Sequence, residues 1–228
     1  MKFKVNNSIV RLITFQRIEI LTLFQSKIRK LFGRLLFTIL FSRFLNNNYV
    51  SEKYYNICNE EYKFLNKFVK LQNCKDILSI GGGVGGLETL IMKNFQNCSL
   101  DLIDRNFVSK KIQYSWNEKE AYNSIDLTKK FYFDNCKNNK KFKVFDFDKK
   151  NFPKKKYDLI FSFFSLDYHY SFNIYKNFLI KWSNEKTIFI FDTVRPDFFK
   201  NVFKKIKIIN NNVNTIHQSK RLICEEIN

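Results

Sequence analysis

The feature that most constrains this chain is the run Ile80-Gly81-Gly82-Gly83-Val84-Gly85-Gly86, which holds five of its six glycines. Just before it stands a short apolar run, Ile77-Leu78-Ser79-Ile80, and after it Gly86 to Phe95 has the spacing of a helix. Glycines between a buried strand and a helix let the backbone turn sharply. They also let a ligand approach the main-chain N–H groups at the helix N-terminus. The next apolar run, Ser99 to Ile103, closes on Asp104. A carboxylate about 20 residues past the glycines can accept hydrogen bonds from both ribose hydroxyls of an adenosine ligand. Asp104 would also serve as a cap on the segment after it.

From residue 76 onward strand-like and helix-like segments alternate, which predicts a mostly parallel sheet covered on both faces. Strands are expected at 77–80, 99–103, 142–145, 157–163 and 187–191, the second, third and fifth ending at Asp104, Asp146 and Asp192. Helices are expected at 86–95, from about Lys119 to Phe133, and at 172–182. Ile206–Ile209 and Arg221–Glu225 fit two closing strands, with a turn through Asn210, Asn211 and Asn212. The Asn/Lys-rich stretch near Asn138 reads as a surface loop. The fold class is therefore α/β: a Rossmann-like, mostly parallel seven-stranded sheet with helices on both faces, preceded by an N-terminal helical extension. The boundary is set between residues 1–72 and 73–228. In the extension, Ile20, Leu21, Phe24, Ile28, Leu31 and Leu35 recur at helical spacing among Arg17, Lys27, Arg29, Lys30 and Arg34, with Glu19 the only nearby acid. Residues 8–45 thus read as a basic amphipathic stretch that either covers a core or lies on an anionic membrane surface. Asn46-Asn47-Asn48 reads as a break before a second helix, from about Ser51 to Leu71.

Gly81-x-Gly83-x-Gly85 resembles motif I of class I S-adenosylmethionine-dependent methyltransferases, and Tyr157-Asp158-Leu159-Ile160-Phe161-Ser162 resembles their motif IV. The resemblance spans residues 75 to 228. It implies S-adenosylmethionine as cofactor, lying across Gly81, Gly83 and Gly85. Asp104 would take its ribose and Asp146 its adenine, although Asp148 competes for that role, while Ser79, Phe147 and Ser162 complete the binding set. The family commonly carries Asp or Glu where this chain has Ser79. Loose similarity of Ser165–Tyr170, with Tyr175, and of Ala121–Ser124 to methyltransferases of sugar and surface-polysaccharide pathways implies O-methylation of a glycan or other small acceptor.

His169, in Ser165-Leu166-Asp167-Tyr168-His169-Tyr170, stands where a general base could take a hydroxyl proton, because an imidazole titrates near neutral pH. It would equally serve as a surface or capping residue. Asp167 could orient it or cap the next helix, and Tyr168 and Tyr170 could line a polar pocket or simply pack.

Gly81-x-Gly83-x-x-Gly86 also satisfies the dinucleotide fingerprint, which keeps an NAD(P)-dependent oxidoreductase open. No Tyr-x-x-x-Lys pair accompanies it, since Tyr168 is followed four on by Phe172 and Tyr170 by Ile174. The net charge of +19 admits a nucleic-acid-binding or RNA-modifying protein. Abundant Lys, Asn, Ile and Phe with 6 Gly and 2 Pro fit an AT-rich genome as well. A membrane-associated structural protein with a decayed cofactor site is a further alternative. Five dispersed cysteines without a C-x-x-C pair argue against a zinc site or disulfide framework. No metal is expected. No signal-like N-terminus and no long apolar run is present, so a cytoplasmic setting, peripheral to the inner membrane at most, is expected.

Overall fold

The computed structural model describes residues 1–109, 120–136, 141–211 and 218–228. Its helices are α1 (Asn7–Gln16), α2 (Leu23–Phe32), α3 (Arg34–Phe41), α4 (Asn47–Phe68), α5 (Gly86–Asn94), α6 (Ile125–Asn135) and α7 (Asn173–Trp182). Its strands are β1 (Asp76–Ile80), β2 (Ser99–Asp104), β3 (Phe142–Asp146), β4 (Leu159–Ser162), β5 (Ile188–Thr193), β6 (Phe203–Asn211) and β7 (Lys220–Ile227). They form one sheet in the order β3-β2-β1-β4-β5-β7-β6. The first five pair in parallel, and β7 runs antiparallel to both β5 and β6.

Successive strand residues face opposite sides of a sheet, and both sides here are apolar. Leu78, Ile80, Ile160, Phe189 and Phe191 share one core with Tyr175, Leu179 and Trp182 of α7. Ile77, Leu159, Phe161 and Ile190 share the other with Leu65 of α4, Leu87 and Ile91 of α5, and Tyr132 of α6. The expected sheet, with helices on both faces, is present. Phenylalanine supplies much of the bulk: Phe199 packs edge-on against Phe172 at 5.0 Å and Phe191 at 4.8 Å between centroids.

The N-terminal stretch departs from the single amphipathic helix read from its spacing. It turns at Arg17–Thr22 and again at Gly33, which has φ +77°, giving three short helices. Ile20 and Leu21 are buried as expected, but Phe24 and Leu31 are exposed. Ile9, Val10 and Ile13 of α1 pack with Tyr54 and Cys58 of α4, Leu90 of α5 and Phe131 of α6, outside the second core. Asn46 is the N-cap of α4, its Oδ1 accepting from the N–H groups of Asn48 and Tyr49. Asn47 and Asn48 are therefore helical, and the break falls at residues 42–46. Lys119, Asn138 and Asn212 lie outside the described residues. The helix expected from Lys119 begins at Ile125, whose N–H donates to Asn106 Oδ1, and Ala121 and Tyr122 are extended, the Ser109 N–H donating to the Ala121 carbonyl.

Candidate active site

Parallel sheets bind ligands where neighbouring strands lead their connections in opposite directions, at the strand C-termini. Here that point is between β1 and β4. A cavity of about 260 Å³ opens there, a little below the roughly 300–1,000 Å³ usual for ligand pockets. Gly81, Gly82 and Gly83 line it from the β1 turn, Asp104, Tyr122 and Asn123 from the β2 side, and Phe163 to Ser165 with Tyr168 to Tyr170 from the β4 side. Gln16, Arg17, Ile18, Glu19, Arg29 and Arg34 line it from the N-terminal region.

The glycine turn is shaped by contacts as well as by dihedral angles. Gly81, Gly83 and Gly85 have φ of +70°, +62° and +87°, a region that disfavours any Cβ. Gly86 is needed for another reason: a Cβ there would lie 2.4 Å from Cys58 Sγ and 2.7 Å from the Tyr54 ring, so its absence lets α4 press against the start of α5. The Gly86 N–H donates to the Tyr54 hydroxyl.

Asp104 ends β2 beside this turn. Its Oδ2 accepts from the Gly83 N–H at 2.9 Å and from Asn123 Nδ2 at 3.0 Å, and its Oδ1 accepts from the Arg105 N–H at 2.7 Å. Burial raises its pKa to about 6, against the pull of those hydrogen bonds and of the Arg105 charge. Asn123 also donates to the Gly83 carbonyl, and Thr128 Oγ1 donates to the same oxygen. The carboxylate and the glycine turn are thus one hydrogen-bonded unit.

Ser79 lies beneath the turn, 1% exposed, and its hydroxyl donates to Glu88 Oε1 at 2.5 Å. Glu88, in the first turn of α5, is itself buried. Its Oε2 has no hydrogen-bond partner among the described residues, and burial lifts its carboxyl to about 7. A carboxylate from α5 therefore lies against the end of β1 at Ser79. Ser162 also lies below the cavity, donating to the Ile80 carbonyl and accepting from the Leu166 N–H.

His169 lines the cavity, its ring edge-on to Tyr122 at 5.6 Å and to Tyr168 at 4.8 Å. Tyr170 lines it too, donating to the Glu120 carbonyl. Asp167 is committed elsewhere. Fully buried at φ +55°, it accepts from Arg195 through both Nε and Nη2, from Thr193 Oγ1 at 2.5 Å, and from the Phe172 N–H ahead of α7. Both of its oxygens are used in joining the β4 loop to the end of β5 and the start of α7.

Of the residues singled out in sequence, Gly81, Gly83, Asp104 and His169 come together around the cavity, and Ser79, Gly85, Asp146, Phe147 and Ser162 do not line it. Asp146 caps the 3-10 turn Phe147–Lys149 by accepting from the Asp148 N–H. Phe147 is buried in the α7 core, 4.6 Å from Tyr175 and 5.3 Å from the Arg105 guanidinium. Asp148 pairs with Arg105 at 3.6 Å. Sequence reasoning missed Gln16, Glu88 and Arg105, and held Asn123 only as part of the Ala121–Ser124 run, with no role of its own. Glu88 left a signal, a lone acid inside the apolar run of α5. Gln16, 67 positions before Gly83, left none. Its Nε2 donates to the Tyr122 carbonyl and to Asn123 Oδ1, while its Oε1 accepts from the Val84 N–H at 3.1 Å.

No family model matches this sequence, and no curated protein matches it. Solved structures do resemble its fold. A candidate O-methyltransferase from Nostoc punctiforme aligns with a TM-score of 0.53 at 8% identity over 77% of this chain. Human N-acetylserotonin methyltransferase in complex with SAM aligns at 0.49 and 10% identity over 90%, and coclaurine N-methyltransferase at 0.43 and 12% over 60%. The chain spans 61%, 59% and 35% of those three chains respectively. At 8% identity the likeness to the Nostoc protein is one of fold, and in this chain the sheet carries an antiparallel β7 between β5 and β6.

Proposed function

We propose that the chain transfers a methyl group from S-adenosylmethionine to an oxygen of a small acceptor. The observation that carries this reading is the convergence of Asp104, the glycine turn and His169 on one cavity at the reversal point of the sheet. The residues fit such a cofactor. A buried carboxylate with a raised pKa gains from hydroxyl donors such as those of a ribose, and the Val84 N–H, held here by the Gln16 side chain, suits a ligand carboxylate once that amide moves away. When bound, the cofactor supplies a methyl group already activated on a sulfonium, so the protein has only to align the acceptor and remove a proton. Asp104 holds the ribose, Gly81 and Gly83 admit the ligand against the backbone, and Glu88 with Ser79 gives the turn a carboxylate beneath it. His169 accepts the acceptor's hydroxyl proton. A sugar-type acceptor is supported by the mixed polar and aromatic lining beside His169, to which Tyr122, Tyr168 and Tyr170 contribute. The oxidoreductase alternative expects the strand order 3-2-1-4-5-6, which the inserted antiparallel β7 breaks.

Calorimetric titration with S-adenosylmethionine, S-adenosylhomocysteine and NADH tests the reading. Both sulfur ligands are expected to bind and NADH not to. Asp104→Ala should weaken binding about ten- to a hundredfold, the scale of a lost charge-assisted hydrogen bond. Folded protein that binds neither sulfur ligand overturns the proposal. With an acceptor in hand, His169→Ala should lower turnover about a hundredfold or more at saturating cofactor.

A further inference from the structure

Helix α2 is inside out. Its only buried residue is Arg29, 6% exposed, whereas Leu23, Phe24 and Leu31 are 86%, 72% and 81% exposed. The cause is at the C-terminus of α1, where carbonyls without helical partners carry partial negative charge. Arg29 donates to the carbonyls of Thr14 and Phe15, and Arg34, at the start of α3, donates to those of Phe15 and Gln16. With the guanidinium groups turned inward, the apolar side chains face out. Helix α3 and the turn after it continue the pattern, with Leu36, Leu40 and Phe44 exposed. The two helices are joined by the ring contact of Phe32 with Phe41 at 5.5 Å. Lys27, Lys30 and Arg43 are exposed among these apolar groups. From Ile20 to Ser51 the sequence contains no Asp or Glu.

We propose that this outer face of α2 and α3 docks the protein on an anionic lipid bilayer. Scattered exposed apolar residues are ordinary, but exposed apolar residues interspersed with cations, on helices that carry no acid, have the composition of interfacial helices, with apolar groups in the acyl boundary and cations at the headgroups. The charge pattern separates this occupant from a second copy of the chain. A twofold dimer through this face sets the patch against itself, bringing Lys27, Lys30 and Arg43 against the same cations with no acid between them. An anionic bilayer meets the same charges with opposite sign. Arg29 and Arg34 line the cavity from the inner side of these helices, so a docked chain holds the cavity about one helix diameter from the lipid headgroups. The docking itself does not depend on the methyl-transfer reading.

The test is co-sedimentation of the full chain with vesicles of phosphatidylcholine alone and of phosphatidylcholine with phosphatidylglycerol, with analytical ultracentrifugation of the free protein alongside. Binding is expected to the phosphatidylglycerol vesicles and to weaken as salt rises. Phe24→Ser combined with Leu31→Ser should lower the partition coefficient at least about tenfold while leaving every cation in place. Lys27→Gln combined with Lys30→Gln should lower it by a similar factor on anionic vesicles. All four positions are exposed, and an unchanged near-ultraviolet circular dichroism spectrum verifies each fold. Three results would overturn the proposal. One is folded wild type that stays in the supernatant. Another is a serine variant that binds as well as wild type, which assigns binding to diffuse positive charge. The third is a dimer, abolished by the serine pair, in protein that ignores both vesicle types.

Discussion

Among the described residues, Glu88 is the carboxyl whose Oε2 is buried without a hydrogen-bond partner. Burial lifts it from an ordinary value of 4.5 to about 7. Between those values the folded chain keeps a proton that the unfolded chain has released, so stability falls as pH rises through that window. The stabilisation from this group is complete below about 4.5 and gone above about 7. Glu88→Gln removes the burden of the charge, so it should raise unfolding stability by about 1–3 kcal/mol at pH 8.5 and change it little at pH 5. Thermal melts at the two pH values check this. Asp104 titrates in the same direction, and its effect is read through binding. Its charged form accepts from hydroxyl donors, so affinity for S-adenosylhomocysteine should be flat above neutrality and decline as pH falls through about 6. The positions of Asp104 and the glycines were legible because their chemistry follows local order along the chain, strand then turn then helix. Glu88 satisfies Ser79 from nine residues away, across a turn whose shape decides where α5 begins. The spacing alone did not carry that.

At the scale of elements, the strands and helices after residue 76 follow from period-two and helical apolar spacing, and only their ends shift. β4 is shorter than the apolar run that holds it, beginning at Leu159 because the Tyr157 N–H donates outside the ladder to the Trp182 carbonyl. The junction of α4 with α5 was invisible, because a glycine that serves packing looks the same in sequence as one that serves a turn. Gly86→Ala would push a methyl group into Cys58 and Tyr54. It should cost about 1–3 kcal/mol of stability, seen as a lower urea midpoint with an unchanged slope. The N-terminal helices misled the spacing argument for a definite reason: two arginines bind the carbonyl end of α1, and that charge interaction, not the apolar stripe, orients α2.

Across the whole molecule, the N-terminal region and the sheet domain are joined by shared packing: Ile9, Val10 and Ile13 touch the same cluster as Val84, Leu90 and Phe131. No helix among the described residues is long and apolar enough to cross a membrane. The strands up to β5 and the closing pair after them were readable as elements. The placement of β7 between β5 and β6 was not, since strand pairing across a returning hairpin leaves no local mark in the sequence. Gln16 ties the two parts together at the cavity, and it bears on the timing of binding as well as on affinity. Its amide already occupies the backbone that an incoming ligand must reach, bonded to Val84, Tyr122 and Asn123. Arrival of a ligand is then a race against a side chain that has to let go first. In stopped-flow mixing, the observed association rate with S-adenosylhomocysteine should level off at high ligand concentration instead of climbing in proportion. Gln16→Ala should move that plateau upward.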